Sequence, residues 1–332
     1  MQQPVSIAPT RLGHLNLFVT DVERSAGFYR DVCGFKEVFR EPGISMIFMS
    51  NGNTHHDLGL MEITQEQRIG RDGHMQVKPG AGKTPGLNHL GFEMRSEAAL
   101  VEAYLRAREG NVAINRTTDH QIAHSLYLQE LNGHTLEFYA DIIEDWKGFY
   151  ANNAGELISG HWEPGAQTPA ADSRITAEPQ LHHDDNAILA ARNVAYAGLP
   201  VQNLTQSLEY YQQVLGMQLV LLDEQHRFAV LKGSAADACD LFLMESEVPA
   251  TRLLFGGVNL HDGKSIDAAL AQLRAFGVTA TVVGEGEIRA VIVLDPDQIP
   301  LVYSTCSARE LLQRHGAAIA DEINRLWATA RA

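Results

Sequence analysis

The sequence predicts an α+β protein of two domains, because the chain repeats its own plan. Residues 17–35, LFVTDVERSAGFYRDVCGF, match LPVQNLTQSLEYYQQVLGM at residues 199–217. Each copy holds an apolar strand, a polar turn, a helix with an aromatic pair, and a glycine. A second match joins HDLGLME at 56–62 to CDLFLME at 239–245. Internal similarity of this kind indicates that the two halves share one architecture.

Within each half the plan repeats once more. LNHLGFEM followed by SEAALVEAYLRAREG has the pattern of a second strand-then-helix start, and FGGVNL followed by SIDAALAQLRAFG is its counterpart in the other half. Four units of a strand, a helix and several strands are therefore expected to begin near residues 12, 87, 194 and 254.

The segment between the halves is rich in Gly, Pro, Asn and Asp, which is typical of a linker on the surface. An amphipathic helix is predicted from about Ser307 to Ala330. We therefore expect a first domain at 8–145, a linker at 146–189, a second domain at 190–306 and a C-terminal helical segment at 307–332.

Length and composition exclude several classes of protein. At 332 residues the chain suits two domains, with 45% hydrophobic and 20% charged residues as in globular proteins. No stretch approaches the run of about 18 apolar residues that a membrane helix needs. The net charge of −15 would repel nucleic acid. The N-terminus has no signal-peptide pattern and the three cysteines are widely spaced, so we expect a cytoplasmic protein.

Three polar residues lie inside apolar strands, where they are candidates for metal ligands. His14 lies in LGHLNLFVTD, where alternation places Leu15 and Leu17 on the opposite face. His89 lies in GLNHLGFEM, and Glu137 lies in HTLEFYAD. A single histidine or glutamate in a strand is more often a core or surface residue than a ligand, so no one of them is decisive.

The second half of the chain acts as an internal control for this set. The same register places Tyr196 at the position of His14, Val302 at that of Glu137, and about Gly257 at that of His89. If the module needed these residues for folding, the second copy should have kept them. Two imidazoles and one carboxylate form the facial triad that suits non-haem Fe(II), because three coordination positions stay open.

These repeats and motifs resemble the vicinal oxygen chelate superfamily, and the N-terminal half is similar to the type I extradiol (catechol 2,3-) dioxygenases. The fold similarity covers nearly the whole chain, whereas the specific motifs lie between His14 and Glu137. In that family, paired βαβββ modules curl into an open barrel around a metal. The resemblance assigns the ligand role to the same three residues, with Fe(II), or alternatively Mn(II), as the metal and O2 as co-substrate.

Chelation of a diol requires the loss of protons, so a residue that titrates near neutrality should lie beside the metal. The candidates are His56 in THHDLGL, His120 in TTDHQIAH, and Tyr127 in HSLYLQE. By resemblance, His56 matches the acid–base histidine of the extradiol enzymes, His120 the histidine that faces the substrate, and Tyr127 the active-site tyrosine. His124 is the alternative to His120.

The turn ELNGHT determines whether Tyr127 and Glu137 lie at one site. A three-residue loop at 131–133, with Gly133 in a left-handed conformation, pairs Tyr127 with Glu137. A two-residue Asn-Gly turn instead pairs Tyr127 with Phe138. We prefer the first because it brings both polar groups together.

The sequence therefore predicts an Fe(II)-dependent extradiol dioxygenase that cleaves a small catechol-type aromatic diol with O2, as a homo-oligomer. A hydroquinone-cleaving dioxygenase is the nearest alternative. A glyoxalase-like metalloenzyme would need a fourth ligand such as Glu62, which recurs as Glu245 in the copy without metal ligands. A metal-free binding protein is the third. Candidates for an apolar pocket wall are Phe18, Ile44, Met46, Phe48 and Phe92.

Overall fold

The computed structural model describes residues 6–69, 73, 75–77, 82–152, 160–175, 179–236, 238–246, 253–261, 263 and 265–330. In this part of the chain, each half folds into one eight-stranded mixed sheet with helices packed against it. This confirms the predicted α+β class and the plan of two domains, each of paired βαβββ modules.

The first sheet has the strand order β2-β3-β4-β1-β7-β10-β9-β8, so its two modules meet where β1 pairs with β7. Strands β5 and β6 form a separate small hairpin between the modules. The elements are β1 (Arg11–Val19), α1 (Val22–Asp31), β2 (Glu37–Glu41), β3 (Met46–Met49), β4 (Leu58–Glu62), β5 (Arg68–Ile69), β6 (Met75–Val77), β7 (Gly86–Glu93), α2 (Glu97–Glu109), β8 (Arg116–Asp119), β9 (Ala123–Gln129), β10 (Thr135–Asp141) and α3 (Trp146–Asn152).

The second sheet repeats this arrangement with the order β12-β13-β14-β11-β15-β18-β17-β16. Its elements are β11 (Ala191–Val201), α4 (Leu204–Gln213), β12 (Gln218–Asp223), β13 (Phe228–Lys232), β14 (Leu241–Glu245), β15 (Phe255–Leu260), α5 (Ile266–Ala275), β16 (Ala280–Glu285), β17 (Ile288–Leu294), β18 (Pro300–Ser304) and α6 (Ala308–Ala330). The four modules begin at Arg11, Gly86, Ala191 and Phe255, which confirms the predicted starts.

The first helix of each domain begins in the same way. Asp21 and Asn203 are the N-cap residues of α1 and α4, and each side chain accepts a backbone N–H three residues on, at 2.9 Å. The carboxylates of Glu62 and Glu245 accept the N–H of the first residue of α1 and α4, at 3.4 and 3.0 Å. Each of these glutamates therefore binds the N-terminus of a helix, which explains why the glutamate recurs in the copy without the candidate metal ligands.

The two domains follow the same strand register. In the first sheet, Gly91 on β7 pairs with both His14 and Glu137. In the second sheet, Gly257 on β15 pairs with both Tyr196 and Val302. Tyr196 is therefore the counterpart of His14, and Val302 that of Glu137, as predicted.

The register corrects the third correspondence. The counterpart of His89 is Phe255, and Gly257 instead corresponds to Gly91. Both glycines are needed for space, because a Cβ at Gly91 would lie 1.9 Å from Nε2 of His14 and a Cβ at Gly257 would lie 2.4 Å from the aromatic ring opposite. The short FGGVNL pattern contains two glycines and does not show which of them meets that ring.

The long C-terminal helix packs against one face of the second sheet. Tyr196, Phe255 and Val302 lie in one buried apolar cluster with side chains of α6, namely Leu311, Leu312, Ile319, Ala320, Ile323, Leu326 and Trp327. The face that carries candidate ligands in the first domain is thus a packed core in the second. Among the described residues, no helix combines the length and apolarity that crossing a membrane requires.

Two reciprocal contacts join the domains at the N-terminal ends of α1 and α4. The N–H of Thr20 donates to Asp297 at 2.9 Å, and the N–H of Gln202 donates to Asn132 at 2.9 Å. Both acceptors lie in the turn before the last strand of a module in the other domain. The domains therefore pack with an approximate twofold relation, as expected for a repeated architecture.

Beside the first of these contacts, Asp295 is buried and accepts a hydrogen bond from the Tyr29 hydroxyl at 3.0 Å. Burial raises the pKa of Asp295 to about 7. An unfolded aspartate titrates near pH 4, so between about pH 4 and pH 7 the folded protein holds a proton that the unfolded chain has lost. The free energy of unfolding therefore falls as pH rises through this range.

Asp295→Asn should remove this dependence, because an amide cannot ionise but keeps an oxygen for the N–H of Ile299. In urea unfolding between pH 4.5 and 7.5, the free energy of unfolding of the wild type should fall by up to about 1.4 kcal/mol per pH unit relative to that of the variant. Asp267→Asn, at an exposed aspartate, is the control. Parallel stability curves for wild type and Asp295→Asn would contradict the prediction.

Candidate metal centre

The three predicted ligands lie on adjacent strands in the middle of the first sheet. His14 on β1 pairs with Gly91 on β7, which in turn pairs with Glu137 on β10. His89 lies two residues before Gly91 and therefore points to the same face of the sheet. The strand register thus brings two imidazoles and one carboxylate together on one face.

Their side chains converge on a single carboxylate oxygen. Oε2 of Glu137 lies 2.9 Å from Nε2 of His14 and 2.9 Å from Nε2 of His89. All three residues are buried, and one candidate ligand atom from each lies within 4.8 Å of the others. Nδ1 of His89 lies 3.0 Å from Oδ1 of Asn88, so Nδ1–H donates there and Nε2 keeps its lone pair. The donor set fits a metal ion.

Electrostatics keep the three groups in the forms that bind a cation. Burial raises the pKa of Glu137, but the hydrogen bonds and charge interactions with His14 and His89 outweigh it and hold that pKa well below its usual range. Burial lowers the pKa of His14 to about 4 against the opposing effect of Glu137. At neutral pH the site therefore holds an ionised carboxylate and a neutral His14 imidazole, as metal ligation requires.

The β9–β10 hairpin confirms the first of the two turn alternatives. Tyr127 pairs directly with Glu137, and Gly133 in the connecting loop has φ of +91°. The Tyr127 hydroxyl donates to Oε1 of Glu137 at 2.7 Å and lies 3.0 Å from Nε2 of His120. One carboxylate oxygen is thus held by the tyrosine, and the other faces the two candidate histidine ligands.

His56 and His55 lie side by side above this site. The ring of His56 stacks on that of His14 with centroids 4.0 Å apart, and both nitrogens of His56 have no hydrogen-bond partner among the described residues. Burial, followed by the neighbouring histidines, lowers the pKa of His56 well below 6.5. Nδ1 of His55 lies 2.7 Å from Asp141, which raises the pKa of His55 despite its burial.

The structure separates His120 from His124. His120 lines the cavity, and burial lowers its pKa to about 4 although Glu137 acts in the opposite direction. Nδ1 of His124 lies 2.8 Å from Glu97, and its ring stacks on Trp162 away from the cavity. Of the two, His120 is placed to face a bound molecule, and its catalytic role stays a prediction.

The ligand set opens into a cavity of about 700 Å³, including its mouth. Its apolar wall is formed by Ile44, Met46, Phe48, Met61, Ile122 and Tyr150. Three of the predicted wall residues are therefore in place. Phe18 and Phe92 are not in the lining: Phe18 packs against the apolar cluster that forms this wall without lining the cavity itself, and Phe92 lies in the core behind the sheet. Tyr150 comes from α3, inside the segment expected to be a linker.

Sequence reasoning missed several polar residues at the site, among them Asn16, Asp141 and Arg116. Nδ2 of Asn16 lies 2.8 Å from Nε2 of His89, and Asp141 holds His55 as described above. Strand alternation could have found both, because Asn16 follows His14 by two positions and Asp141 follows Glu137 by four. The Arg116 guanidinium lies 4.1 Å from the ring centroid of Tyr127 and lines both this cavity and an outer groove. No local pattern marked it.

The register also tests whether the first domain offers a fourth ligand. Asn16 pairs with Gly59 on β4, just as Gly91 pairs with Glu137 on β10, so Gly59 occupies the place equivalent to the carboxylate ligand. A Cβ at Gly59 would lie 1.9 Å from Oδ1 of Asn16, so the Asn16 amide fills this space. Glu62, three residues further along, is engaged at the α1 N-terminus.

Comparison with known proteins agrees with this geometry. Residues 11–138 match the family model of the Glyoxalase/Bleomycin resistance protein/Dioxygenase superfamily. The chain is 43% identical over 51 residues to a catechol-2,3-dioxygenase of Bacillus subtilis (strain 168), covering 15% of this chain and 18% of that protein. It is 26% identical over 137 residues to biphenyl-2,3-diol 1,2-dioxygenase 3 of Rhodococcus globerulus, covering 40% of this chain and 63% of that protein. The matches thus span less than two thirds of either curated relative.

Solved structures resemble the whole chain. The 2,3-dioxygenase LapB from Pseudomonas sp. KL28 superposes with a TM-score of 0.61 at 17% identity, over 89% of this chain and 92% of that one. A Mn(II)-bound glyoxalase from Novosphingobium aromaticivorans superposes with a TM-score of 0.60 at 11% identity, over 90% of this chain and 83% of that one. Residues 11–138 therefore match this superfamily model, and the chain shares its overall fold with solved dioxygenase and glyoxalase structures.

Proposed function

We propose that this protein is an Fe(II)-dependent extradiol dioxygenase that cleaves the ring of a catechol-type aromatic with O2. The observation that carries the proposal is the convergence of His14, His89 and Glu137 on one point at the base of a cavity. Two imidazoles and one carboxylate on one side of a metal are the ligand set of non-haem Fe(II) oxygenases. The names of the relatives support the same reaction class.

When bound, the Fe(II) ion would supply the open coordination positions and the redox chemistry that ring cleavage by O2 requires. Tyr127 orients the carboxylate of Glu137 by holding Oε1, and Asn88 fixes the tautomer of His89. His56 is neutral, desolvated and free at both nitrogens among the described residues, so it can accept a proton from a diol and return it later.

The cavity suits a flat aromatic substrate. Its wall is mainly apolar apart from Glu41, and the other polar groups include those of the ligand set, where hydroxyl groups would be bound. His120 and the Tyr127 hydroxyl form a hydrogen-bonded pair on the wall beside Glu137. This pair can hold a diol oxygen and keep water away from it.

Two of the alternatives, a glyoxalase-like enzyme and a metal-free binding protein, fit the site less well. A glyoxalase-like site with a fourth ligand would need a donor at Gly59, which has no side chain, and Glu62 is engaged at a helix end. A metal-free binding protein would not need the ligand set that the second domain has replaced by a packed core. A hydroquinone-cleaving enzyme would use the same three ligands, and Mn(II) could take the place of Fe(II) on the same donors.

The test is a panel of substituted catechols and hydroquinones with protein loaded anaerobically with Fe(II), followed by exposure to air. We expect a yellow ring-opened product from at least one catechol, with O2 consumed in equal amount. Reloading with Mn(II) distinguishes the two metals. Product from hydroquinones alone would move the function to the neighbouring class, and tight diol binding without metal or O2 uptake would favour a binding protein.

A further inference from the structure

Two aspartates recur in the repeat even though the candidate ligands do not. Asp57 and Asp240 lie just before β4 and β14 and have equivalent backbone contacts. Their N–H groups donate to Met49 and Leu231 of the preceding strands at 2.8 and 3.0 Å. Their carbonyl groups each accept an N–H from the first strand of their own domain at 3.0 Å. Their retention in both copies points to a role that does not require a metal.

Each carboxylate reaches into the other domain. Oδ1 of Asp240 accepts the N–H of Leu12 on β1 at 2.7 Å, and Oδ1 of Asp57 accepts the N–H of Val194 on β11 at 3.2 Å. Both aspartates are fully buried, with 1% and 0% of their surface exposed. The two contacts are equivalent under the approximate twofold relation of the domains, so the link is reciprocal.

Both accepted N–H groups lie at an irregularity of the strand ladder. The β1–β7 register shifts between Leu12 and His14, and the β11–β15 register shifts between Val194 and Tyr196. A bulge takes backbone groups out of the ladder and re-aims the side chain that follows. In the first domain the side chain that follows is His14, so Asp240 of the second domain holds the backbone bend that directs a candidate ligand.

Asp57 holds the other half of the site. Its Oδ2 accepts the N–H of Asn51 at 3.1 Å, at the start of the loop that carries His55 and His56. Its Oδ1 is bound to the second domain as described above. The loop with the proposed acid–base histidine is therefore tied to β11 through one buried carboxylate.

We propose that Asp57 and Asp240 are positioning residues through which the second domain sets the geometry of the proposed metal centre. Asp240 acts on the strand of His14, and Asp57 acts on the loop of His56. The proposal rests on the proposed metal site, and it gives the second domain a role that its packed core does not provide.

The experiment compares Asp240→Asn and Asp57→Asn with the control Asp295→Asn. Each carboxylate also accepts a second N–H, that of Gly233 for Asp240 at 2.6 Å and that of Asn51 for Asp57 at 3.1 Å. An asparagine keeps one acceptor oxygen but places its NH2 group against one of the two N–H groups, so the pair of contacts is weakened without a cavity. Asp295 is also a buried carboxyl at the domain junction, but it binds Tyr29 of α1 and not the strands of the site. Co(II) is the probe, with its affinity measured by competition and its coordination by the visible absorption spectrum.

Asp240→Asn should weaken Co(II) binding at least tenfold and shift the Co(II) spectrum, since changes behind metal ligands typically cost 10- to 100-fold in affinity. Asp57→Asn should keep Co(II) affinity within threefold but lower kcat of the Fe(II) protein at least tenfold, with KM little changed. Asp295→Asn should keep affinity, spectrum and turnover within twofold.

Wild-type affinity, spectrum and turnover in both variants would overturn the proposal, whatever their melting temperatures. Equal effects in Asp295→Asn would also overturn it, because they would reflect general weakening of the junction. Failure of the proposed function is seen separately: a wild type that binds Co(II) but cleaves no diol refutes the dioxygenase, while the Co(II) measurements on Asp240→Asn still decide the positioning role.

Discussion

Replacement of His89 or His14 by alanine, or of Glu137 by glutamine, should leave a protein that retains no iron after gel filtration and shows only background ring cleavage. Each change removes one of the three proposed protein ligands, and the described residues offer no carboxylate at the equivalent position on β4. Glutamine at 137 is the milder test of the carboxylate, because its amide group can keep the hydrogen bond with Tyr127. Iron content by atomic absorption and O2 uptake with a catechol are the measurements.

Two controls separate the loss of a ligand from the loss of the fold. Glu62→Gln keeps an oxygen for the α1 N-terminus and should retain full iron content, whereas a four-ligand site that used Glu62 would lose metal. Val302→Ala, at the counterpart of Glu137, should lower stability through a small cavity but leave iron unchanged. If His89→Ala kept both iron and ring cleavage, the proposed site would be wrong.

Replacement of His56 should separate proton transfer from metal binding. His56→Ala and His56→Phe leave the three proposed ligands in place, so Fe(II) content and catechol affinity should stay near those of the wild type. Turnover should fall by about 10²- to 10⁴-fold, the usual contribution of a general acid–base group. Phenylalanine is a useful second variant because it keeps a ring against His14 and Phe48, so that a loss of packing does not mimic a loss of chemistry.

The pH dependence of turnover and a matched variant at His120 are the further measurements for His56. The acid limb of the rate profile should change in the His56 variants, because the proposed proton acceptor is gone. Loss of iron together with activity would make His56 a ligand, a possibility that its closeness to His14 and His55 makes worth measuring. Unchanged turnover would move the role to His120, which shares the cavity, and His120→Phe is the matched variant.

Short-range patterns were sufficient for much of the fold and for the types of residue at the site. The repeat of 17–35 at 199–217 predicted two equivalent sheets. The ELNGHT turn limited the partner of Tyr127 to Glu137 or Phe138, and the preferred partner, Glu137, is the one observed. Strand alternation placed His14 on the face opposite to Leu15, which lies in the core. These features depend on neighbours a few residues apart, so one sequence contains the information.

Other features required the packed chain. Whether His120 or His124 faces the cavity depends on the bend between β8 and β9, where Gln121 has φ of +64°, and no motif marks that bend. The counterpart of His89 was misplaced by two residues, because only the strand pairing shows that Gly257 lies opposite the ring of Tyr196 and that Phe255 takes the place of His89. The packing of α6 against the second sheet likewise depends on where that helix docks.

The sequence by itself determined the two-domain α+β plan and the residue types of a candidate facial triad, because strand alternation and turn chemistry act locally. Only the tertiary structure decided how those residues are held. Asp240 contacts Leu12, which is 228 residues away in the sequence. Strand β1 becomes a neighbour of β7 and β10 only when the two modules of the first domain pair. Such contacts form because buried N–H groups and carboxylates need hydrogen-bond partners, and the packing of the chain decides which partners are near. This requirement produces no periodic pattern in the sequence.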